Sequence, residues 1–143
     1  MRCQEIMTKN PVTVTMESTV LEVARLMADK DIGFVPICDK SGVAVGTVTD
    51  RDIVVRCVAK ERDPKTARLK DFGGNQVVCV QPEDDVSKAR NLMEQHKVQR
   101  ILVCDASKHP RGVISLQDLS QSSQDVGETV RSVKSESSTH PTH

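Results

Sequence analysis

The chain has 143 residues, 20 basic against 20 acidic side chains, 37% apolar residues, and only Phe34 and Phe72 as aromatics. Zero formal net charge gives no overall electrostatic reason to bind nucleic acid or an anionic membrane, and two aromatics supply almost no stacking platform for single strands. No stretch approaches the roughly 20 apolar residues of a membrane helix, and no apolar segment of a signal peptide follows Met1-Arg2-Cys3-Gln4-Glu5, so a cytoplasmic location is expected.

An internal repeat organises the pattern. An ungapped offset of 66 residues puts Val12-Thr13-Val14 on Val78-Cys79-Val80, Leu26-Met27 on Leu92-Met93, and Phe34 to Asp39 on Arg100 to Asp105. It also puts Gly46-Thr47-Val48-Thr49 on Gly112-Val113-Ile114-Ser115, and Asp52 on Asp118. In chain order, Val12-Thr13-Val14 reads as a short strand. Thr19-Val20-Leu21-Glu22 is a capping box at a helix start, and Val20, Val23, Ala24 and Met27 have the spacing of one helix face. Phe34–Cys38 and Val43–Val48 read as strands about the turn Asp39-Lys40-Ser41-Gly42. A helix with Ile53, Val54, Cys57 and Val58 as its apolar stripe follows, and Asp63-Pro64-Lys65 ends it.

The second copy repeats this order. Asp84 or Asp85 caps a helix whose face is Val86, Ala89 and Met93, and strands fall at Arg100–Cys104 and Gly112–Ser115 about Asp105 to Arg111. The unit is β-α-β-β-α. The expected fold is α+β, two tandem repeats related by a pseudo-twofold axis. Residues 3–60 form the first repeat, 61–68 a linker, 69–122 the second repeat, and 123–143 a polar tail. Val126, Val130 and Val133 predict a short docked helix from about Gln124 to Val133. Each half is marginal for folding alone, so the halves are expected to bury apolar faces together. The Val20 and Val86 stripes and the helix carrying Ile53, Val54 and Val58 predict a homodimer built on helices.

The segments with chemistry are Gly46-Thr47-Val48-Thr49-Asp50-Arg51-Asp52 and Gly112-Val113-Ile114-Ser115-Leu116-Gln117-Asp118. Each sets a hydroxyl three residues before a carboxylate where a strand enters a helix. First-turn amides suit a phosphate, a carboxylate suits the paired hydroxyls of a ribose, and Arg51 can neutralise phosphate charge. Ser/Thr-x-x-Asp is also a capping signature, and both roles are open to these residues.

Together these segments resemble tandem cystathionine-β-synthase (CBS) domains, the Bateman module. The resemblance covers residues 3 to 120 and is carried by Glu5-Ile6-Met7-Thr8, Pro11-Val12-Thr13-Val14, the capped helix, Ile32-Gly33-Phe34-Val35-Pro36-Ile37, and Gly46-x-x-Thr49-x-x-Asp52 with its second copy. Thr49-Asp50-Arg51-Asp52-Ile53-Val54 and Asp63-Pro64 are similar to small stand-alone bacterial proteins of the hypoxic-response type. The resemblance implies a regulatory module, not an enzyme. It would bind an adenosine-containing ligand, AMP, ADP or ATP first, with NAD or S-adenosylmethionine as further options. Asp52 and Asp118 would hold ribose, and Thr49 and Ser115 phosphate or ribose. Thr13, Val14, Phe34, Val35 and Pro36 would line one adenine slot, and Cys79, Val80, Arg100 and Ile101 the other. Gly33, Pro36 and Met7 become Gln99, Leu102 and Gly73 in the second copy, which favours the first pocket. The alternative is an interaction scaffold whose degenerate pockets serve structure only.

Other signals carry less. Asp71-Phe72-Gly73 spells a kinase tripeptide with nothing else of a kinase around it. Cys38 and Cys104, at equivalent strand ends, read as small buried apolar residues ahead of a redox pair. The five cysteines form no CxxC, and no metal spacing, P-loop or nucleophilic triad is present. The sequence names no effector protein.

Overall fold

The computed structural model describes residues 1–72 and 76–126. In chain order the elements are β1 (Thr8–Lys9), α1 (Val20–Lys30), β2 (Phe34–Cys38), β3 (Ala44–Thr49), α2 (Asp50–Ile53), β4 (Cys79–Val80), α3 (Val86–His96), β5 (Arg100–Cys104), β6 (Pro110–Ser115) and α4 (Leu116–Val126). A π-helical turn at Val54–Val58 extends α2, and short 3-10 turns lie at Cys3–Glu5 and Leu69–Phe72. The helix α4 continues through Val126, and the rest of the segment expected to be helical up to Val133 lies outside the described residues.

The repeat holds over the first helix and the hairpin of each copy. With the 66-residue offset, α1 falls on α3, β2 on β5 and β3 on β6, each with identical bounds. Both hairpins carry a bulge at the same place, between Ile37 and Cys38 and between Val103 and Cys104. The helices α1 and α3 both end in a left-handed residue, Asp31 at φ 54° and Lys97 at φ 56°. Thr19 caps α1 by accepting from the Glu22 amide while Glu22 accepts from the Thr19 amide. Asp85 caps α3 by accepting from the Ser87 amide at 3.0 Å.

The described residues divide into two compact units whose bounds are not those of the repeats: Pro11–Val77, and Met1–Asn10 with the described residues from Val78. In the first, β2 and β3 form an antiparallel pair, and Val14 adds one parallel bridge to Ile37. Its core sets Val23 and Met27 of α1 against Val35, Ile37 and Val48, with Leu69 contributed by the segment that leads into the second repeat. Val23 and Val35 are fully buried, each contributing roughly 1.5–3 kcal/mol by leaving water. In the second unit the sheet order is β1-β6-β5-β4, with β4 parallel to β5 and the other pairs antiparallel. Thr8 pairs with Val113, so the leading segment of the chain joins the sheet of the second repeat. Cys3, Val80, Ala89, Met93, Ile101, Val103, Ile114 and Leu119 form this core.

One expected stripe differs. After α2 the backbone bonds skip a residue: the Ala59 amide donates to the Val54 carbonyl at 2.9 Å and the Arg62 amide to Cys57 at 3.0 Å. This i to i+5 pattern rotates the face relative to an α-helix. Cys57 and Ile53 face the core, while Val54 and Val58 are 57% and 63% exposed.

Candidate functional site

The strand-to-helix turn has the same geometry in both units. Thr49 Oγ1 accepts from the Asp52 amide at 3.0 Å, and Asp52 Oδ2 accepts from the Thr49 amide at 2.8 Å. Ser115 Oγ accepts from the Asp118 amide at 3.1 Å, and Asp118 Oδ2 accepts from the Ser115 amide at 2.9 Å. Each is a reciprocal capping box. The next amide ties the helix start to the neighbouring strand: Asp50 donates to the Gly33 carbonyl at 3.0 Å, and Leu116 to the Gln99 carbonyl at 2.8 Å. The change from Gly33 to Gln99 therefore leaves this bond intact.

The capping role accounts for one oxygen of each carboxylate. The other meets different surroundings. Arg56 Nε lies 3.9 Å from Asp52 Oδ1, an ion pair beyond hydrogen-bond length. The equivalent of Arg56 is Ser122, whose hydroxyl donates to the Leu119 carbonyl at 2.9 Å. Arg51 is exposed.

The strand residues named from the sequence separate by burial. Phe34 lies opposite Thr49 and Arg100 opposite Ser115, and all four are half-buried. Val14 donates its amide to the Pro36 carbonyl at 3.1 Å, which brings Thr13 and Val14 alongside β2; Cys79 and Val80 run alongside β5 in the same way. Thr13 is exposed, and Val14 and Cys79 are half-buried. Val35, Pro36, Val80 and Ile101 are buried, so their side chains belong to the packed interior and any contact with a ligand is through backbone.

A recess in the Pro11–Val77 unit is lined by Ile37, Thr47, Val48, Asp52, Arg56, Leu69 and Phe72. Asp52 is the one expected site residue among them. Sequence reasoning missed Arg56 and Phe72. The spacing of Arg56 four residues after Asp52 on a helix was the available signal for an ion pair. Phe72 lies far along the chain, and its carbonyl accepts from Arg56 at 3.3 Å.

Cys38 and Cys104 are buried in the core, as read from their place at equivalent strand ends. The Thr13 side chain helps to lower the Cys38 thiol against its burial, and the Cys104 side chain lowers the Cys79 thiol. These interactions are repeat equivalents, with Cys79 standing in the place of Thr13. No cluster of three or more metal-ligating side chains occurs among the described residues, and no helix among them is long and apolar enough to cross a membrane.

A duplicated unit of helix, hairpin and capped strand-to-helix turn, with an edge segment laid parallel to the first hairpin strand, defines a tandem-repeat α+β module. The chain belongs to the CBS domain family, whose model matches residues 3–58 and again 69–125. It is 32% identical to hypoxic response protein 1 of Mycobacterium tuberculosis over 100 residues, 70% of either chain. It superposes on a putative signal-transduction protein with CBS domains from Burkholderia ambifaria with a TM-score of 0.80 and 28% identity, covering 92% of this chain and all of that one. It superposes with a TM-score of 0.76 and 26% identity on the CBS domain protein PAE2072 from Pyrobaculum aerophilum, solved as a complex with AMP, over 83% of this chain and 90% of that one.

Proposed function

We propose that this chain is a regulatory sensor of an adenosine-containing nucleotide, with AMP, ADP and ATP as the first candidates. The observation that carries the reading is the AMP complex of the Pyrobaculum relative, taken with the duplicated hydroxyl–carboxylate turn. In this reading Asp52 and Asp118 accept from ribose hydroxyls through the oxygen that the cap does not use. The Thr49 and Ser115 hydroxyls face phosphate, helped by Arg51 in one repeat and by Arg100, opposite Ser115, in the other. Phe34 offers adenine an apolar ring beside Thr49, and the Thr13–Val14 and Cys79–Val80 edges offer backbone amides and carbonyls. The exposed Val54 and Val58 fit a homodimer through helices.

The second reading is an interaction scaffold, favoured by the fact that the hydroxyl and carboxylate of both turns close complete capping boxes with each other's amides. Calorimetry of the full chain against AMP, ADP, ATP, NAD and S-adenosylmethionine separates the two. Saturable binding that is lost in the Asp52→Asn/Asp118→Asn double variant supports the sensor. Silence across the panel from a folded protein selects the scaffold.

A further inference from the structure

We propose that Cys79 and Cys104 form a redox-active thiol pair, a site for two-electron oxidation by a peroxide that ends in a disulfide between β4 and β5. Three observations converge on it. The two side chains interact, and hydrogen bonding with Cys104 is the first cause of a lowered Cys79 thiol. They lie on neighbouring parallel strands, Cys79 paired with Leu102 and Cys104 two residues further along. Of the five cysteines, Cys79 is the one that is half-buried, and the other four are buried. The accessible sulfur sits on β4, a two-residue strand at the edge of its sheet, where a small displacement disturbs little pairing.

The two thiols differ in exposure, Cys79 half-buried and Cys104 buried. The hydrogen bond with Cys104, with Lys108 and Lys88 nearby, pulls the Cys79 thiol down to about 6 from an ordinary 9.0. That shift favours the thiolate, the form that attacks peroxide. By contrast, burial with Asp84 and Asp85 pushes Cys3 up to about 11, and burial with Asp39 raises Cys38. The Cys79 thiolate attacks one peroxide oxygen, the O–O bond breaks, and the products are a sulfenic acid and hydroxide. The Cys104 sulfur then attacks the sulfenyl sulfur. The S–O bond breaks, the S–S bond forms, and the Cys104 proton leaves in the departing water. Peroxide is reduced and the two thiols are oxidised. Only Cys79 needs solvent access, so the burial of Cys104 at 1% exposure is no obstacle. The first repeat supplies an internal control, because Thr13 holds the Cys79 position there and Cys38 has a hydroxyl where Cys104 has a thiol partner.

This inference stands apart from the nucleotide reading and is tested without a nucleotide. The full chain is treated with equimolar hydrogen peroxide, blocked with N-ethylmaleimide, and mapped by peptide mass spectrometry. The expected result is loss of two hydrogens, a Cys79–Cys104 linked peptide that dithiothreitol releases, and an unmodified Cys38. In Cys104→Ser, dimedone is expected to trap a sulfenic acid at Cys79. In Cys79→Thr, Cys104 is expected to stay reduced. A Cys79 that survives as a free thiol in the wild-type map overturns the proposal, as does a disulfide joining any other pair. Oxidation of Cys104 in Cys79→Thr does the same. The wild-type map decides even if a variant fails to fold.

Discussion

Ser122 stands where Arg56 stands in the first repeat, and the two side chains are engaged differently. Arg56 forms an ion pair with Asp52, Nε to Oδ1 at 3.9 Å, while Ser122 turns its hydroxyl to the Leu119 carbonyl at 2.9 Å. The two repeat-equivalent carboxylates therefore carry unequal local charge: a guanidinium draws on the Asp52 acceptor and has no counterpart at this position beside Asp118.

The first prediction follows from that inequality. Asn in place of either Asp keeps an oxygen for the Thr49 or Ser115 amide, so the cap and the melting temperature are largely retained. The charged acceptor for ribose is lost, and a hydrogen bond to a charged group contributes roughly 1.5–3 kcal/mol, about tenfold to a hundredfold in affinity. Asp118→Asn is expected to reach the upper part of that range and Asp52→Asn the lower. Calorimetry of both variants with AMP or ATP measures the order. Equal losses would remove any role for Arg56 in tuning the acceptor.

A second prediction concerns acid. The side chain and backbone amide of Ser87, and the terminal amino group of Met1 at 3.3 Å, hold the Asp85 carboxyl at about 2, below its ordinary 3.8. Its folded-state value is depressed, so its contribution to stability is complete above 3.8 and is lost as pH falls from there toward about 2. Asp85→Asn should flatten the stability–pH curve in that window and leave the slope near neutrality unchanged. Urea unfolding across the window checks it, and an unaltered acid slope would assign the low-pH loss to other carboxyls.

The repeat was legible in the sequence because the first helix and the hairpin of both copies keep one spacing; Val20 and Val86 begin helices with identical bounds, and Thr49 and Ser115 each end a strand. Capping chemistry was legible for the same reason, since Thr19 with Glu22 is a local pattern. Less legible was the unit to which short leading segments belong. Thr8–Lys9 is only a two-residue strand, and its pairing with Val113 and Gly112 is set by contacts more than a hundred residues away. Leu69 enters the core of Val23, Val35 and Val48 likewise. The Val54–Val58 stripe failed because periodicity assumes α-helical bonds, and one i to i+5 turn changes which valines face out. The hydroxyl–carboxylate turns fall at strand-to-helix junctions, where they form capping boxes, and their spacing alone did not distinguish a cap from a site.

Lys108 gives a third prediction. It sits at φ 66°, while Gly42 occupies the equivalent position at φ 83°. The turns are otherwise the same: Gly42 donates to the Asp39 carbonyl at 3.0 Å and Lys108 to Asp105 at 2.9 Å, and each Asp carboxylate accepts from two later amides. A left-handed conformation costs a residue with a Cβ about 1–2 kcal/mol, and the extra freedom of glycine in the unfolded chain offsets about 0.4–1 of that. Lys108→Gly should raise stability by up to about 1 kcal/mol, a gain of a few degrees in melting temperature. It should also raise the Cys79 thiol, because Lys108 helps to lower it. Slower alkylation of Cys79 by iodoacetamide at neutral pH would report that second effect separately from the first.

The fourth prediction tests how the leading segment is held. Gly112 lies in β6 opposite Lys9 of β1. A Cβ on Gly112 would stand 2.5 Å from Met7 Sδ, 2.7 Å from Met7 Cγ and 2.9 Å from the Thr8 carbonyl oxygen. The methionine side chain can rotate away, since it is unbranched and adaptable. The carbonyl cannot, because Thr8 is paired with Val113 and Asn10 donates its amide to the Arg111 carbonyl at 3.1 Å. Accommodation therefore requires β1 to lift from β6. Overpacking of this kind costs about 1–3 kcal/mol, so Gly112→Ala should lower the melting temperature and speed amide exchange at Asn10. Adding Met7→Ala should recover only part of the loss, since the clash with the Thr8 carbonyl persists. Full recovery in the double variant would mean that the side chain was the whole obstacle and that β1 is not pinned through its backbone. An unchanged Asn10 exchange rate in Gly112→Ala would mean that β6, rather than β1, is the strand that yields.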